Sequence, residues 1–253
     1  MRSMKFIFFI PLFVLASCAG DSDGVTDPVY DMPLTPAEAG TYGEASEEMD
    51  KENYEKGIHI LNYLIQNNPD SLDFYYSKGL ALKRMEKYDE AIANFDYILE
   101  VDAEYFYAIA SKGDVYQLTG EDDLAADMYK RALEIWSENS TLCVNLGALY
   151  MKVEEYELAL EWLNKALEID PRSLDALYNR AKCHFLLKSY DLGLKDCERG
   201  IQLDPYDAGF YSVSGFCYDK LGDKTNALKQ FEKALEIDPV EPIALDYMSR
   251  VEE

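Results

Sequence analysis

The sequence predicts an all-α solenoid, a linear array of helix pairs, and three observations lead there. Gly79, Gly113, Gly147, Ala181 and Gly215 fall at a strict 34-residue spacing, and such a period comes from a repeated structural module. Within one period, residues 140–173, the residues Cys143, Leu146, Gly147 and Tyr150 form one apolar stripe at helical spacing, and Ala159, Leu163, Ala166 and Leu167 form a second. Asp170-Pro171, Asp204-Pro205 and Asp238-Pro239 close three successive periods, because the residue before a proline is pushed out of α geometry.

The amino terminus reads as an export signal. Arg2 and Lys5 precede an apolar run from Phe6 to Ala16, interrupted by Pro11, and then the small residue Ser17 and Cys18. The run is too short for a bilayer, which needs about 20 apolar residues. Leu15-Ala16-Ser17-Cys18 closely resembles the bacterial lipobox. The resemblance implies removal of residues 1–17 and acylation of Cys18, and more than one acyl chain gives stable anchoring; an ordinary cleavage site with a cysteine nearby is the alternative. Ala19 follows, where Asp would resemble the inner-membrane retention signal of enterobacterial lipoproteins, so the outer membrane of a cell envelope is the expected location. Residues 18–37, with Pro28, Pro33, Pro36 and several aspartates, read as an acidic tether.

Six units of 34 residues follow: 38–71, 72–105, 106–139, 140–173, 174–207 and 208–241. In each, two amphipathic helices joined by a short turn form an antiparallel pair. In unit four the turn is Val153-Glu154-Glu155, and Gly147 and Ala159 lack bulk where the helices cross. Residues 242–253 carry Ala244, Met248 and Val251 on one face and read as the capping helix that an open solenoid end requires.

Gly-Ala-Leu-Tyr at 147–150, Tyr156 with Ala159, and Asn164 through Pro171, together with Gly215-Phe-Cys-Tyr218, Ala227, Phe231 and Lys233 through Pro239, resemble the tetratricopeptide repeat. The resemblance implies a right-handed superhelix whose concave side is lined by the first helix of each pair. It also implies binding of peptides or proteins, without catalysis. Some units depart from the pattern. Unit one has Glu44 and Glu48 at apolar positions, besides Gly40, Gly43 and Gly57, so its first helix is expected to be short or frayed. Unit three has Asp122 for tyrosine and Ser137 for the closing proline. Unit five has Gly193 and Gly200 in its second helix, which is expected to be the weakest of the interior helices.

The chain carries 48 acidic and 24 basic side chains, a formal charge of −24 that becomes −26 once Arg2 and Lys5 are removed. Such a field opposes nucleic acid and favours basic partners, and it equally serves as a solvated surface. No phosphate-binding, nucleophile-elbow or dinucleotide motif is present. His59 and His184 lack ligand companions at helical spacing, and His184 stands in a packing register filled by Tyr116, Tyr150 and Tyr218. No catalytic residue, metal or cofactor is expected. Cys143, Cys183, Cys197 and Cys217 lie on or beside apolar stripes and read as small hydrophobes. If export oxidises any of them, Cys183 and Cys217, equivalent in successive units, are the candidate pair.

Each first helix carries a second stripe opposite its packing face. Its candidate partner-binding residues are Tyr76, Lys83, Tyr107, Asp114, Met151, Tyr178, Lys182, Phe185 and Phe216. Leu80, Val144 and Ala148 share that stripe and can instead pack between repeats. Lys83, Arg84, Lys152, Lys182 and Lys220 are cations that could hold a partner's carboxylate. The expected function is a membrane-anchored adaptor for a protein or peptide. The alternative is a structural subunit of an envelope assembly complex handling outer-membrane proteins, pili or peptidoglycan.

Overall fold

The computed structural model describes residues 40–251, and the signal, Cys18 and the tether lie outside them. The described residues form thirteen α-helices and no strand: α1 (Tyr42–Asp50), α2 (Tyr54–Asn67), α3 (Leu72–Arg84), α4 (Tyr88–Val101), α5 (Phe106–Thr119), α6 (Asp122–Ile135), α7 (Ser140–Lys152), α8 (Tyr156–Ile169), α9 (Leu174–Leu186), α10 (Tyr190–Leu203), α11 (Ala208–Lys220), α12 (Lys224–Ile237) and α13 (Pro242–Val251). Helices α2 to α12 have 13 or 14 residues each, a length at which an isolated helix is marginal, so neighbours supply their stability. Each helix packs on the next in sequence. Successive first helices also touch, α3 on α5, α7 on α9 and α9 on α11, which puts the first helices on the inside of the curve.

The crossing within each pair follows a rule. A Cβ added at Gly79 would lie 2.6 Å from the Phe95 ring, one at Gly113 2.7 Å from Tyr129, and one at Gly147 2.6 Å from Leu163 Cγ and 3.4 Å from the Ala159 carbonyl. Across from these glycines stand Ala91, Ala125 and Ala159, all buried. In units one and five the two residues exchange places, as Ala45 with Gly57 and Ala181 with Gly193. The added Cβ at Gly57 would meet the Ala45 carbonyl at 3.3 Å, and that at Gly193 the Ala181 carbonyl at 3.2 Å. Every crossing therefore holds one glycine and one alanine. The glycines expected to weaken α10 are packing requirements: Gly193 also faces Cys217 Sγ, and a Cβ at Gly200 would lie 2.3 Å from the Phe210 ring of the next unit.

The turn inside each pair is also uniform. Glu52, Glu86, Gly120, Glu154, Lys188 and Gly222, spaced by 34 residues, all have positive φ, between 60° and 84°. The following amide donates five residues back in each case, for example from Lys87 to the Leu82 carbonyl (2.9 Å) and from Ser189 to the His184 carbonyl (2.8 Å), closing a Schellman motif. The joints between pairs are held differently. Asp102, Asp170, Asp204 and Asp238 each accept from the amide two residues on, at 2.9–3.1 Å. One second-helix register reaches back to the preceding joint: Tyr97 donates to the Pro69 carbonyl (3.3 Å), Arg131 to that of Ala103 and Arg199 to that of Pro171 (2.5 Å).

Unit one is short at its first helix, as expected, but its two glutamates are structural. Thr41 and Glu44 form a capping box. Glu48 accepts from Asn53 (3.0 Å) and pairs with Lys51 and Lys56, at 3.3 and 3.2 Å. These partners, Asn53 first, hold its carboxyl below the usual range. At the other end α13 packs Ala244 and Tyr247 inward, with the Tyr247 ring stacked on Phe231 at 4.1 Å. The four described cysteines are buried and free; Cys183 donates to the Tyr156 carbonyl (3.2 Å), so the pair Cys183–Cys217 is not formed.

Candidate partner-binding groove

The first helices present the candidate residues along the inner face, and the structure divides them into distinct environments. Tyr76 and Tyr107, on α3 and α5, share a tyrosine cluster with Tyr105, which precedes α5. Tyr107 is 56% exposed, whereas Tyr76 is half-buried and its hydroxyl lies 3.3 Å from that of Ser111. The bond between Tyr42 and Ser77, 2.8 Å, is the same contact one unit earlier. Two tyrosines and two serines at 34-residue spacing were a sequence signal for this ladder, and it went unread because serine carries no stripe of its own.

Lys83 and Asp114 are not free groove charges. They pair with each other at 2.8 Å, and Tyr129, buried and rising from α6, donates to the second Asp114 oxygen (3.0 Å) and to Gln117 (2.8 Å). Lys152 is likewise taken up, by Asp122 at 2.8 Å, and this ion pair gives Asp122 a role where most other units have tyrosine. Met151 is half-buried against the cluster of Ala159, Leu163 and Cys183, so much of its surface belongs to the core.

The carboxy-terminal half of the stripe is more deeply seated. Tyr178 meets Phe210 edge-on at 5.6 Å, and burial, then the nearby Glu241 and Asp207 carboxylates, push its phenol up to about 12. Phe185 and Phe216 lie 5.8 Å apart, and Phe216 rests edge-on against Phe231 at 5.2 Å. Lys182 is a half-buried cation on this stretch of the stripe. Its ammonium sits 5.2 Å over the Tyr178 ring with no ion-pair partner among the described residues, and burial lowers its pKa. By contrast, Arg180 on the same helix is fixed by Asp196 through two bonds, 2.9 and 2.6 Å, and donates to Asn164 (2.7 Å).

Nothing in this arrangement supplies a nucleophile with an adjacent base. His184 Nε2 lies 3.9 Å from Asp196 and its Nδ1 is buried without a hydrogen-bond partner; burial holds the imidazole below its usual pKa, against the pull of Asp196. Among the described residues, no group of three or more His, Cys, Asp or Glu is placed to hold a metal ion, and no helix is long and apolar enough to cross a membrane.

Comparison with known proteins agrees with the helix-pair geometry. No curated protein sequence matches the chain. Among solved structures, YrrB, described as a TPR protein with an unusual peptide-binding site, is 26% identical with a TM-score of 0.64, over 75% of this chain and 97% of that one. A tetratricopeptide repeat protein from Parabacteroides merdae is 20% identical with a TM-score of 0.66, over 77% of each chain. MamA from Desulfovibrio magneticus, residue 41 to the end, is 18% identical with a TM-score of 0.63, over 68% and 98%. Tetratricopeptide repeat models match residues 76–140, 141–173, 174–207 and 208–241. With an unbroken run from 76 to 241 matched and the same helix pairs in the solved structures, the chain belongs to the tetratricopeptide repeat family.

Proposed function

We propose that the protein is a membrane-tethered adaptor in a bacterial envelope, holding an extended segment of a protein partner along its concave face. Tetratricopeptide repeats are protein-interaction modules, and the architecture here is that of an adaptor or scaffold. The observation that carries the groove assignment is Lys182. This half-buried cation rests on the Tyr178 ring and has no carboxylate partner among the described residues, which leaves its charge for a partner's carboxylate in a chain with twice as many acids as bases. The exposed Tyr107 ring at the other end of the same stripe supports the reading. The tether rests on Leu15-Ala16-Ser17-Cys18, and the outer-membrane location on Ala19 after it.

Two experiments test the two halves. A photo-crosslinking amino acid at position 107 or 182 should capture the same partner in intact cells, and one at Leu158, exposed on a second helix, should not. Equal capture from all three positions would refute the groove. Cys18→Ala should abolish acyl labelling and release the protein from membranes; labelling that survives would refute the lipidated tether.

A further inference from the structure

The rings of Tyr76, Tyr105 and Tyr107 form a near-equilateral triangle. Their centroids are 6.0 Å apart for Tyr76 and Tyr105, 6.0 Å for Tyr76 and Tyr107, and 6.3 Å for Tyr105 and Tyr107, with planes inclined to one another by 47°, 49° and 64°. The centre of such a triangle is about 3.5 Å from each centroid. A cation about 3 Å above it lies within about 5 Å of all three rings, inside the roughly 6 Å reach of a cation–π contact.

Two of the rings are held in place by their hydroxyls, Tyr76 at Ser111 and Tyr105 by donating to Asp73 (3.0 Å). The third, Tyr107, is backed edge-on by Phe106 at 5.3 Å, stays 56% exposed, and its hydroxyl has no hydrogen-bond partner among the described residues. A ring kept in solvent by two buttressed neighbours is poorly explained by core packing. The local charge has the matching sign. Asp73 sits at the rim, where its carboxylate accepts from Tyr105, while Asp114 and Lys83 beside Tyr76 neutralise each other and leave Asp73 to set the sign. The whole chain adds a formal charge of −24.

We propose that this three-tyrosine cluster is a subsite for a lysine or arginine side chain of the partner segment. The inference rests on the concave face being the docking surface and assigns a basic partner to its amino-terminal half. Aromatic faces attract the cation, Asp73 supplies an opposite charge at the rim, and the ring positions exist before the ligand arrives.

The test uses the purified protein and two labelled peptides, Gly-Ser-Arg-Ser-Arg-Ser-Gly and the same peptide with citrulline for arginine. Ring-proton shifts of Tyr107 and the dissociation constant are measured at about 0.15 M salt, where fields beyond about 8 Å are screened. The arginine peptide is expected to shift Tyr107 and to bind about tenfold more weakly to Tyr107→Ala. Glu236→Gln, on the exposed side of α12, should leave binding unchanged and so excludes a general charge effect. Tyr107→Leu, which keeps apolar bulk, should lose the arginine preference as well, and serves should the alanine variant fail to fold.

Equal binding of the citrulline peptide would overturn the proposal and point to non-ionic stacking, as would indifference to both Tyr107 variants. Crosslinking from position 182 reports on the groove independently. Capture there alongside an absent arginine preference removes the cation subsite alone; loss of capture removes the docking face itself.

Discussion

The one-glycine, one-alanine rule at each helix crossing predicts that two destabilising substitutions compensate each other. In unit four, Gly147→Ala gains about 1 kcal/mol in helix propensity. It also places a methyl 2.6 Å from Leu163 Cγ and 3.4 Å from the Ala159 carbonyl, overpacking that costs about 1–3 kcal/mol. The net change is about 0–2 kcal/mol of destabilisation. Ala159→Gly loses about 1 kcal/mol of propensity and, with one buried methyl gone, about 0.8 kcal/mol more. Independent effects would sum to about 2–4 kcal/mol. Unit one already has the exchanged arrangement, Ala45 with Gly57 around a buried Leu61. The double variant Gly147→Ala, Ala159→Gly copies it around Leu163, restores one methyl to the crossing and cancels the two propensity changes, so it should lie within about 1 kcal/mol of wild type, a coupling of about 2 kcal/mol. Urea unfolding followed by far-ultraviolet circular dichroism measures all four proteins, provided the slope stays constant, since repeat arrays can lose cooperativity. A double variant as unstable as the sum of its parts would refute the crossing rule.

Other positions give further expectations. Glu154 has φ 64°, where a side chain costs about 1–2 kcal/mol, so Glu154→Gly should stabilise by about 0.5–1 kcal/mol after the entropic cost of glycine; a loss of stability in the same urea assay would count against the turn assignment. Truncating Asp196, which is 7% exposed in its side chain, leaves Arg180 with only Asn164, and Asp196→Ala should cost about 3 kcal/mol; a change under about 1 kcal/mol would refute its structural role. Because burial lowers the folded-state pKa of His184, the unfolded chain takes up a proton first as pH falls below about 6.5, and stability contributed by neutral His184 is lost from there downward. His184→Tyr, the residue at this register in units three, four and six, should flatten that decline, and an unchanged pH profile would contradict the reading. Cys143, Cys183, Cys197 and Cys217 should resist thiol reagents until urea unfolds the chain; fast labelling of the native protein would contradict their burial.

The architecture was legible because its signals are local and repeated. A glycine at fixed spacing, two apolar stripes and an Asp-Pro stop each report on one helix or one turn, and 34-residue periodicity multiplies them. What escaped were pairings between distant positions. Gly193 reads as a weak point when α10 is considered alone and as half of a crossing only beside Ala181. Glu48 looks misplaced on α1 until Asn53 and Lys56 are brought to it by the turn. The positive-φ register was hidden because only Gly120 and Gly222 advertise it, while Glu52, Glu86, Glu154 and Lys188 adopt the same conformation without a glycine. In the groove, helical spacing placed the stripe but could not tell an available side chain from one already engaged. Lys83 and Asp114, thirty-one residues apart, neutralise each other across adjacent units, and Tyr105 was missed because it precedes its helix.

The contact between Gly200 and Phe210 crosses from one unit into the next. At the equivalent places, earlier units match Ala132 with Leu142 and Ala166 with Ala176, so each joint has its own division of volume. Moving unit six behind unit four would press Phe210 against Ala166, where no hollow exists for the ring. Identical period notwithstanding, the units carry an address in their joints, and insertion, deletion or shuffling of a unit is sterically proofread at that place before any partner is met.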